Sequence, residues 1–339
     1  MSAPRRQTIS AIMPAYNAER LLERVLPPLL QMLHDGELDE LLVVDDCSTD
    51  ATAATAREMG ATVLTTPANG GPGVARNLAA RAARGDILWF IDSDVIAHPG
   101  GPEEIRRAFA DQGVEACFGS YDDNPGAPSW FSNYKNLLHR YHHQSARREA
   151  TTFWSGCGAV RASTFADLGG FDTEIYRVPS IEDVELGYRI KAAGGRILVC
   201  PDLLGKHLKV WTLKQAIFTD IFRRALPWSR LMIAREGLTD DLNTGKAERA
   251  RALLAGLFAL SLLAWPTPWL SWPVPVALFA LAILANWRFF RFLTGSGGLA
   301  FALASMLYHQ LYYLYSGAAY VWCLFEYHVL GRRNRLHVP

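Results

Sequence analysis

Asp92 and Asp94 stand two residues apart directly after five apolar residues, Ile87-Leu-Trp-Phe-Ile91. Two carboxylates at that spacing can share a divalent cation, because hard ions such as Mg²⁺ and Mn²⁺ take oxygen ligands and also bridge phosphates. An isolated Asp-x-Asp is as readily a solvated turn, so its neighbours must decide. Asp45-Asp46 also follow an apolar run, and Glu182-Asp183 open an amphipathic stretch. A carboxylate there can serve as general base, or be the acidic enrichment common to helix first turns. Arg76 follows the glycine-rich Asn69-Gly-Gly-Pro-Gly73. Its fork suits a phosphate, with a surface ion pair to Asp50 or Asp86 as the competing reading. His207, in Gly205-Lys-His-Leu-Lys209, is a metal ligand or a structural histidine.

The elements that carry these residues alternate. Ile9–Met13 reads as a strand ended by Pro14, followed by a helix over 18–33 whose period is interrupted at Pro27-Pro28. Strands follow at 40–44, 62–65 and 87–91, with helices at 51–59 and 74–83 between them. Gly60 suits a helix C-cap. That alternation predicts an α/β fold with a doubly wound parallel sheet. Three strands then end in polar clusters, Tyr16-Asn17, Asp45-Asp46 and Asp92-Ser93-Asp94, on one edge of the sheet. Asp45 also suits the cap of the helix after it. Further on, 115–119 reads as a strand, 130–147 as a helix, and 152–160 as a strand whose small residues allow close approach of a ligand. The helix over 181–192 places Val184, Leu186, Ile190 and Ala193 inward, and 196–200 is the last strand of this half.

Composition excludes several classes. The 339 residues carry 34 Lys+Arg against 33 Asp+Glu, a net charge of +1, which is no nucleic-acid signature. The five cysteines, Cys47, Cys117, Cys157, Cys200 and Cys323, form no CxxC pair. They argue against a disulfide framework or zinc site and fit a reducing cytoplasm. The first eight residues are short and polar with no signal-peptide run after them, so the first domain is expected on the cytoplasmic side. The glycine loop is neither a Walker nor a dinucleotide motif, which disfavours an ATPase or dehydrogenase.

The order of the signals is informative. Pro14-Ala-Tyr-Asn17, Val44-Asp-Asp-Cys-Ser-Thr-Asp50, Gly73-Val-Ala-Arg-Asn77, Asp92-Ser-Asp94, Gly169-Gly-Phe-Asp172 and Ile181-Glu-Asp-Val-Glu-Leu-Gly-Tyr-Arg189 together resemble a family-2 glycosyltransferase of the GT-A fold over residues 8–210. The resemblance implies a donor site for a nucleotide-diphosphate sugar, foremost a UDP-sugar, with Pro14, Tyr16, Asn17, Asp46, Gly73, Arg76, Asp92 and Ser93 around it. It implies that Tyr16 stacks on the base and that Asp46 accepts the imide N–H. Asp92, Asp94 and His207 would hold Mg²⁺ or Mn²⁺, the two aspartates in unequal roles. Asp183 would be the base of an inverting transfer, supported by Glu182. Trp154, Gly156 and Glu182 would line the acceptor side, where Trp154 either stacks on a sugar or fills the core. Dolichol-phosphate-type synthases attack with an ionised phosphate and typically lack the Glu-Asp helix, so its presence favours a hydroxyl acceptor.

The last third changes character. Residues 211–233 set Ile217, Ile221, Phe222, Leu226 and Leu231 against Lys214, Arg223, Arg224 and Arg230. This is a basic amphipathic stretch suited to the inner leaflet, or else a surface helix of the catalytic domain. Phe222-Arg-Arg-Ala-Leu-Pro-Trp228 lacks the Q-x-x-R-W motif of polymerising relatives. Segments 252–270, 273–293 and 299–324 are candidate spans, the third made more polar by His309, Gln310 and four tyrosines. The expected organisation is a cytoplasmic GT-A domain over 1–205, amphipathic helices and linker over 206–250, and a membrane region of two to three spans over 251–339. The expected function is a membrane-associated, metal-dependent inverting glycosyltransferase acting on a hydroxyl of a lipid or lipid-linked acceptor. The alternatives are transfer to a polyprenyl phosphate, or a membrane scaffold with a degenerate transferase domain.

Overall fold

The computed structural model describes residues 6–127, 129–235, 245–265 and 271–332. The expectations that fall on residues 1–5, 236–244, 266–270 and 333–339 lie outside the described residues. Among the described residues, 6–127 with 143–210 form one compact unit, and 129–142 with 211–332 form a second.

The first unit is built on a nine-stranded sheet. Its strands are β1 (Ile9–Ala15), β2 (Glu40–Asp45), β3 (Thr62–Thr65), β4 (Ile87–Ile91), β5 (Val95–Ala97), β6 (Val114–Tyr121), β7 (Glu149–Ala150), β8 (Cys157–Arg161) and β9 (Arg196–His207). The order is β3-β2-β1-β4-β8-β6-β9-β5, with β7 beside β9. The expected α/β class holds, but the sheet is mixed rather than wholly parallel. β3, β2, β1 and β4 run parallel, but β8 enters antiparallel between β4 and β6, and β5 is antiparallel to β9. An apolar run buried on both faces carries no direction, so pattern alone could not tell β8 from a parallel strand.

β4 shows why a continuous apolar run is needed at the centre. Ile87, Trp89 and Ile91 pack into one core with α1 (Glu19–His34), whereas Leu88 and Phe90 pack into the other with α3 (Pro72–Ala82). β1 does not stop at Pro14 but continues to Ala15. Nor do the two prolines interrupt α1, which runs through them. The carbonyls that lose their donors are those of Glu23 and Arg24, both exposed, where water can take the place of the missing N–H groups. Gly60 ends α2 (Thr52–Glu58) with φ at +97°. The sequence pattern missed β5 and α4 (Gly101–Phe109), both short. The expected strand at 152–160 shrinks to β8, and the last strand, expected to end at 200, extends to His207. α5 (Trp130–Ser145) and α6 (Ala162–Asp167) precede α7 (Glu182–Ala192), which buries Glu185, Leu186 and Ile190 and leaves Ala193 exposed.

The second unit is helical, with α8 (Leu213–Phe218), a π-helical stretch Thr219–Ala225, α9 (Leu226–Ala234), α10 (Lys246–Ala264), α11 (Pro273–Ala285) and α12 (Trp287–His328). The segment 246–251, expected as linker, is the first turns of α10. Of the amphipathic set, Leu231 is buried but Phe222 points out, with 44% of its surface exposed. The expected second span, 273–293, is not one helix: it breaks at Asn286, whose amide donates to the Ala282 carbonyl. The 13 residues of α11 measure about 20 Å at the usual rise, short of the roughly 30 Å of a bilayer core. Among the described residues, α12 is the one helix long and apolar enough to cross a membrane by length and composition. It bends at Gly298, where φ is +81°.

Candidate functional site

β1, β2 and β4 run parallel as neighbours, with Ala15 opposite Asp45 and Ile12 opposite Phe90. Their C-terminal ends therefore share an edge, as the sequence predicts. Pro14 is buried within β1; after the strand, Tyr16 is 51% exposed and Asn17 takes a positive φ of 49°. Asn17 is tied across to the loop after β2: its N–H donates to Ser48 Oγ at 2.9 Å and its Oδ1 accepts from Thr49 N at 2.9 Å. Asp45 caps no helix. Its Oδ1 accepts from Ser48 N at 3.2 Å, and Ala51 occupies the cap position of α2. Asp46 is buried and accepts from Thr66 Oγ1 at 2.8 Å, Gly70 N at 3.0 Å and Gly71 N at 2.7 Å. Its carboxylate thus fixes the glycine loop from which α3 starts. Gly71 there has φ +83°, a conformation that glycine adopts at little cost.

That loop aims Arg76. Neither surface partner considered for it is used: Asp50 accepts from Thr52 N, and Asp86 from Thr8. Arg76 is instead buried, with Nη2 2.5 Å from Asp92 Oδ1 and Nη1 3.5 Å from Glu182 Oε1. Its guanidinium lies 5.6 Å from the Phe171 ring centre, and its Nε is a buried donor without a partner. Phe171 is held there by Asn77, which exchanges two hydrogen bonds with its backbone, while Arg189 from α7 binds the Leu168 and Gly170 carbonyls. The Gly169-Gly-Phe-Asp172 turn therefore ties α3 to α7 and fixes where Arg76 meets Glu182. Gly73, in the first turn of α3, faces Thr173, Phe171 and Glu182 with room for ordinary contact.

The two aspartates are not equivalent. Burial pushes the Asp92 carboxyl up, partly offset by Arg76 and reinforced by Asp94. Burial acts the same way on Asp94, yet the His207 hydrogen bond and the charges of His207 and Lys209 outweigh it and leave Asp94 low. Asp94 Oδ2 faces His207 Nε2 at 3.5 Å, because β5 pairs Val95 with His207 and the Asp94 carbonyl accepts from Leu208 N at 2.8 Å. Ser93 lies half-buried between the aspartates. Glu182 is pushed up to about 7 by burial, then by the neighbouring Asp183 charge, against the pull of Arg76.

Asp183 is held by a residue the sequence reading passed over. Ser155 donates to Asp183 Oδ2 twice, from N at 3.0 Å and from Oγ at 3.1 Å, and Val184 N donates to Oδ1 at 2.8 Å. The next residue, Gly156, accepts from Asp92 N at 3.2 Å. One short turn thus connects the first aspartate to the candidate base. Ser155 stands in the small-residue run Ser155-Gly-Cys-Gly158, the one signal that could have found it. The small residues there admit protein rather than leave space for a ligand: a Cβ on Gly156 would come within 2.5 Å of the Trp154 ring. Trp154 packs edge-on against Tyr121 at 5.0 Å and against His143 at 4.9 Å.

Among the described residues, no three His, Cys, Asp or Glu side chains are placed to hold a metal ion, so the expected set of Asp92, Asp94 and His207 is not gathered: Asp92 is drawn to Arg76 instead. The pair Asp94–His207 nevertheless fits an open cation site: one carboxylate and one imidazole face each other, with Asp92 turned to Arg76. Such a donor set leaves positions for substrate oxygens.

Residues 10–169 match Glycosyl transferase family 2. The pre-mycofactocin glycosyltransferase of Mycobacterium tuberculosis is 28% identical over 240 residues, 64% of this chain and 47% of that protein. Glucosyl-3-phosphoglycerate synthase of the same species is 40% identical over 101 residues, 27% of this chain and 31% of that protein. The chain thus spans less than half the length of these curated relatives. The fold is similar to that of a mannosyltransferase from Pyrobaculum calidifontis solved with GDP-mannose and Mn²⁺, with a TM-score of 0.51 at 19% identity over 94% of this chain and 88% of that one. Over residues 10–169, then, the chain is similar to glycosyl transferase family 2, and it has the mixed α/β GT-A fold.

Proposed function

We propose that this chain transfers a sugar, with inversion, from a nucleotide-diphosphate donor to a hydroxyl, and that it works at a membrane on a lipid or lipid-linked acceptor. The observation that carries the reading is the turn Trp154–Gly156, which holds Asp183 on one side and Asp92 on the other. It sets a candidate base beside the first of two aspartates whose environments drive their proton affinities apart. The relatives support the donor class: one is a curated glycosyltransferase, and the solved mannosyltransferase holds a sugar nucleotide with Mn²⁺.

In this proposal Tyr16, exposed at the rim, stacks on the base, while Pro14, Asn17 and Asp46 shape the loops around it. Gly73 and Ser93 border the diphosphate. Arg76 reaches it from its place between Asp92 and Glu182. Mg²⁺ or Mn²⁺, held by Asp94 and His207 with Asp92 beside them, would neutralise charge on the departing diphosphate. Asp183 takes the acceptor proton, its Oδ2 oriented by Ser155, and Glu182 anchors Arg76 at the acceptor side. Gly156 and Trp154 border that side through backbone and packing. The membrane part rests on the outward apolar residues of the second unit, Leu253, Leu260 and Leu263 among them, each at least 63% exposed, and on α12. Cytoplasmic placement of the first unit rests on the sequence reading alone.

A transfer assay tests this reading. Radiolabelled UDP-glucose and GDP-mannose, incubated with Mn²⁺ and membranes containing the protein, are expected to place label in butanol-extractable lipid. Label confined to water-soluble products would contradict the lipid acceptor. Undiminished transfer by Asp183→Asn would contradict the base and favour an already ionised phosphate as acceptor.

A further inference from the structure

His207 is fixed in two different ways. Its backbone is set by strand pairing, since β5 aligns Val95 with it and Leu208 N donates to the Asp94 carbonyl at 2.8 Å. Strand pairing leaves the imidazole plane open, because the second side-chain torsion of histidine is broad and roughly two-fold. A ring lies flat on that plane. Tyr121, the last residue of β6, pairs with Gly205 two places before His207 and reaches diagonally to lie on the imidazole. The two ring centres are 4.2 Å apart and the planes differ by 6°. Tyr121 is braced in turn: the Trp154 ring meets it edge-on at 5.0 Å and 89°, and His143 abuts Trp154 at 4.9 Å. His143 is anchored by its Nδ1 contact with the Gly119 carbonyl at 2.8 Å and by the Phe118 ring at 5.1 Å. A column of rings thus runs from the buried strand β6 to the imidazole that faces Asp94.

We propose that Tyr121 is a positioning residue for the Asp94–His207 pair: its ring, braced by Trp154, holds Nε2 towards Asp94 and so sets the affinity of the pair for a divalent cation. The inference rests on the cation reading of the proposed function. It also gives Trp154 a task other than sugar stacking, that of keeping Tyr121 flat on His207. Outer partners that orient a metal-binding histidine are commonly worth about 10–100-fold in affinity, and Tyr121 acts in that manner through its face.

Free Mn²⁺ measured by electron paramagnetic resonance, with the full-length protein and with or without UDP or GDP, provides the test. Tyr121→Ala is expected to weaken Mn²⁺ binding by about 10–100-fold, Tyr121→Phe to retain it within a few-fold, and Tyr121→Leu, which fills the space without a flat face, to resemble Tyr121→Ala. Circular dichroism and thermal unfolding identify a variant that does not fold, in which case Tyr121→Leu against Tyr121→Phe carries the comparison. Parent-like Mn²⁺ binding by folded Tyr121→Ala or Tyr121→Leu would overturn the proposal, as would equal losses in Tyr121→Phe and Tyr121→Ala, which would place the effect in the hydroxyl. Asp94→Ala and His207→Ala separate the two levels. If neither loses Mn²⁺, the cation reading fails and the inference with it. If both lose it and Tyr121→Leu does not, the ring column alone is refuted.

Discussion

The two units invert each other's polarity. In the first, apolar strands fill the interior and the charged groups collect at a sheet edge, with Asp92 still 35% exposed beside a buried Arg76. In the second, charges lie inside: Lys135 Nζ meets both oxygens of Asp220 at 2.7 and 2.8 Å, Tyr315 donates to Asp220 at 2.7 Å, and Arg230 pairs with Glu326 at 2.9 Å. Its outside carries Leu253 at 74% and Leu263 at 77% exposure. Exposed large apolar side chains together with buried charges are the informative departures from ordinary globular packing. The first unit keeps charge at a rim where a polar ligand can use it. The second spends charge on holding helices together and offers hydrocarbon to its surroundings, which is the arrangement the membrane reading requires.

That contrast can be broken from either side. The largest effect is expected at the rim. Asp183→Asn should lower the rate of sugar transfer by about 10²–10⁴-fold while leaving nucleotide binding and the unfolding midpoint in place, checked by kinetics and calorimetry. In the second unit the order reverses, and stability suffers first. Lys135→Met leaves buried Asp220 with only Arg224, 3.8 Å away, as counter-charge and should cost about 3 kcal/mol in detergent-phase unfolding, whereas Lys135→Met with Asp220→Leu should recover most of it.

Glu182 sharpens the comparison, because it stands at the rim yet is buried like the charges of the second unit. Its folded form keeps a proton up to about pH 7, whereas a carboxyl in the unfolded chain loses it near 4.5. The folded state binds the extra proton in between, so stability contributed by this group is present below about 4.5 and declines as pH rises through 7. Glu182→Gln should flatten that decline in a pH series of thermal unfolding. The smallest effect belongs to the exposed pairs of Arg107 with Glu103 and Glu104. Arg107→Ala should change stability by about 1 kcal/mol or less, because solvent screens both partners.

Much of the rim was legible because local chemistry announces it. A buried apolar strand followed by carboxylates is a one-dimensional pattern, and Tyr16, Asp46 and Asp92 all follow strands the period identifies. The direction of β8 was not legible, since a strand buried on both faces reads alike either way. Nor was Ser155, an ordinary serine until the antiparallel strand brings its donors to Asp183. Arg76 was recognised as an anion-binding fork, but its partners Asp92 and Glu182 lie 16 and 106 residues away. The polar residues of α12 make the third candidate span less apolar than the other two. Their sense emerges from partners far along the chain: His309 meets Tyr134, and Tyr313 meets Glu248 and Asn286.

The central claim is that the rim is a cation-assisted site for a sugar nucleotide. Calorimetric titration of UDP and GDP into the full-length protein, in Mn²⁺ and again in EDTA, with Asp94→Ala alongside, tests it most directly. The account predicts that one of the two nucleotides binds in Mn²⁺ and that EDTA or Asp94→Ala abolishes the binding. Equal affinity with and without the cation, or no binding of either nucleotide in Mn²⁺, would contradict it.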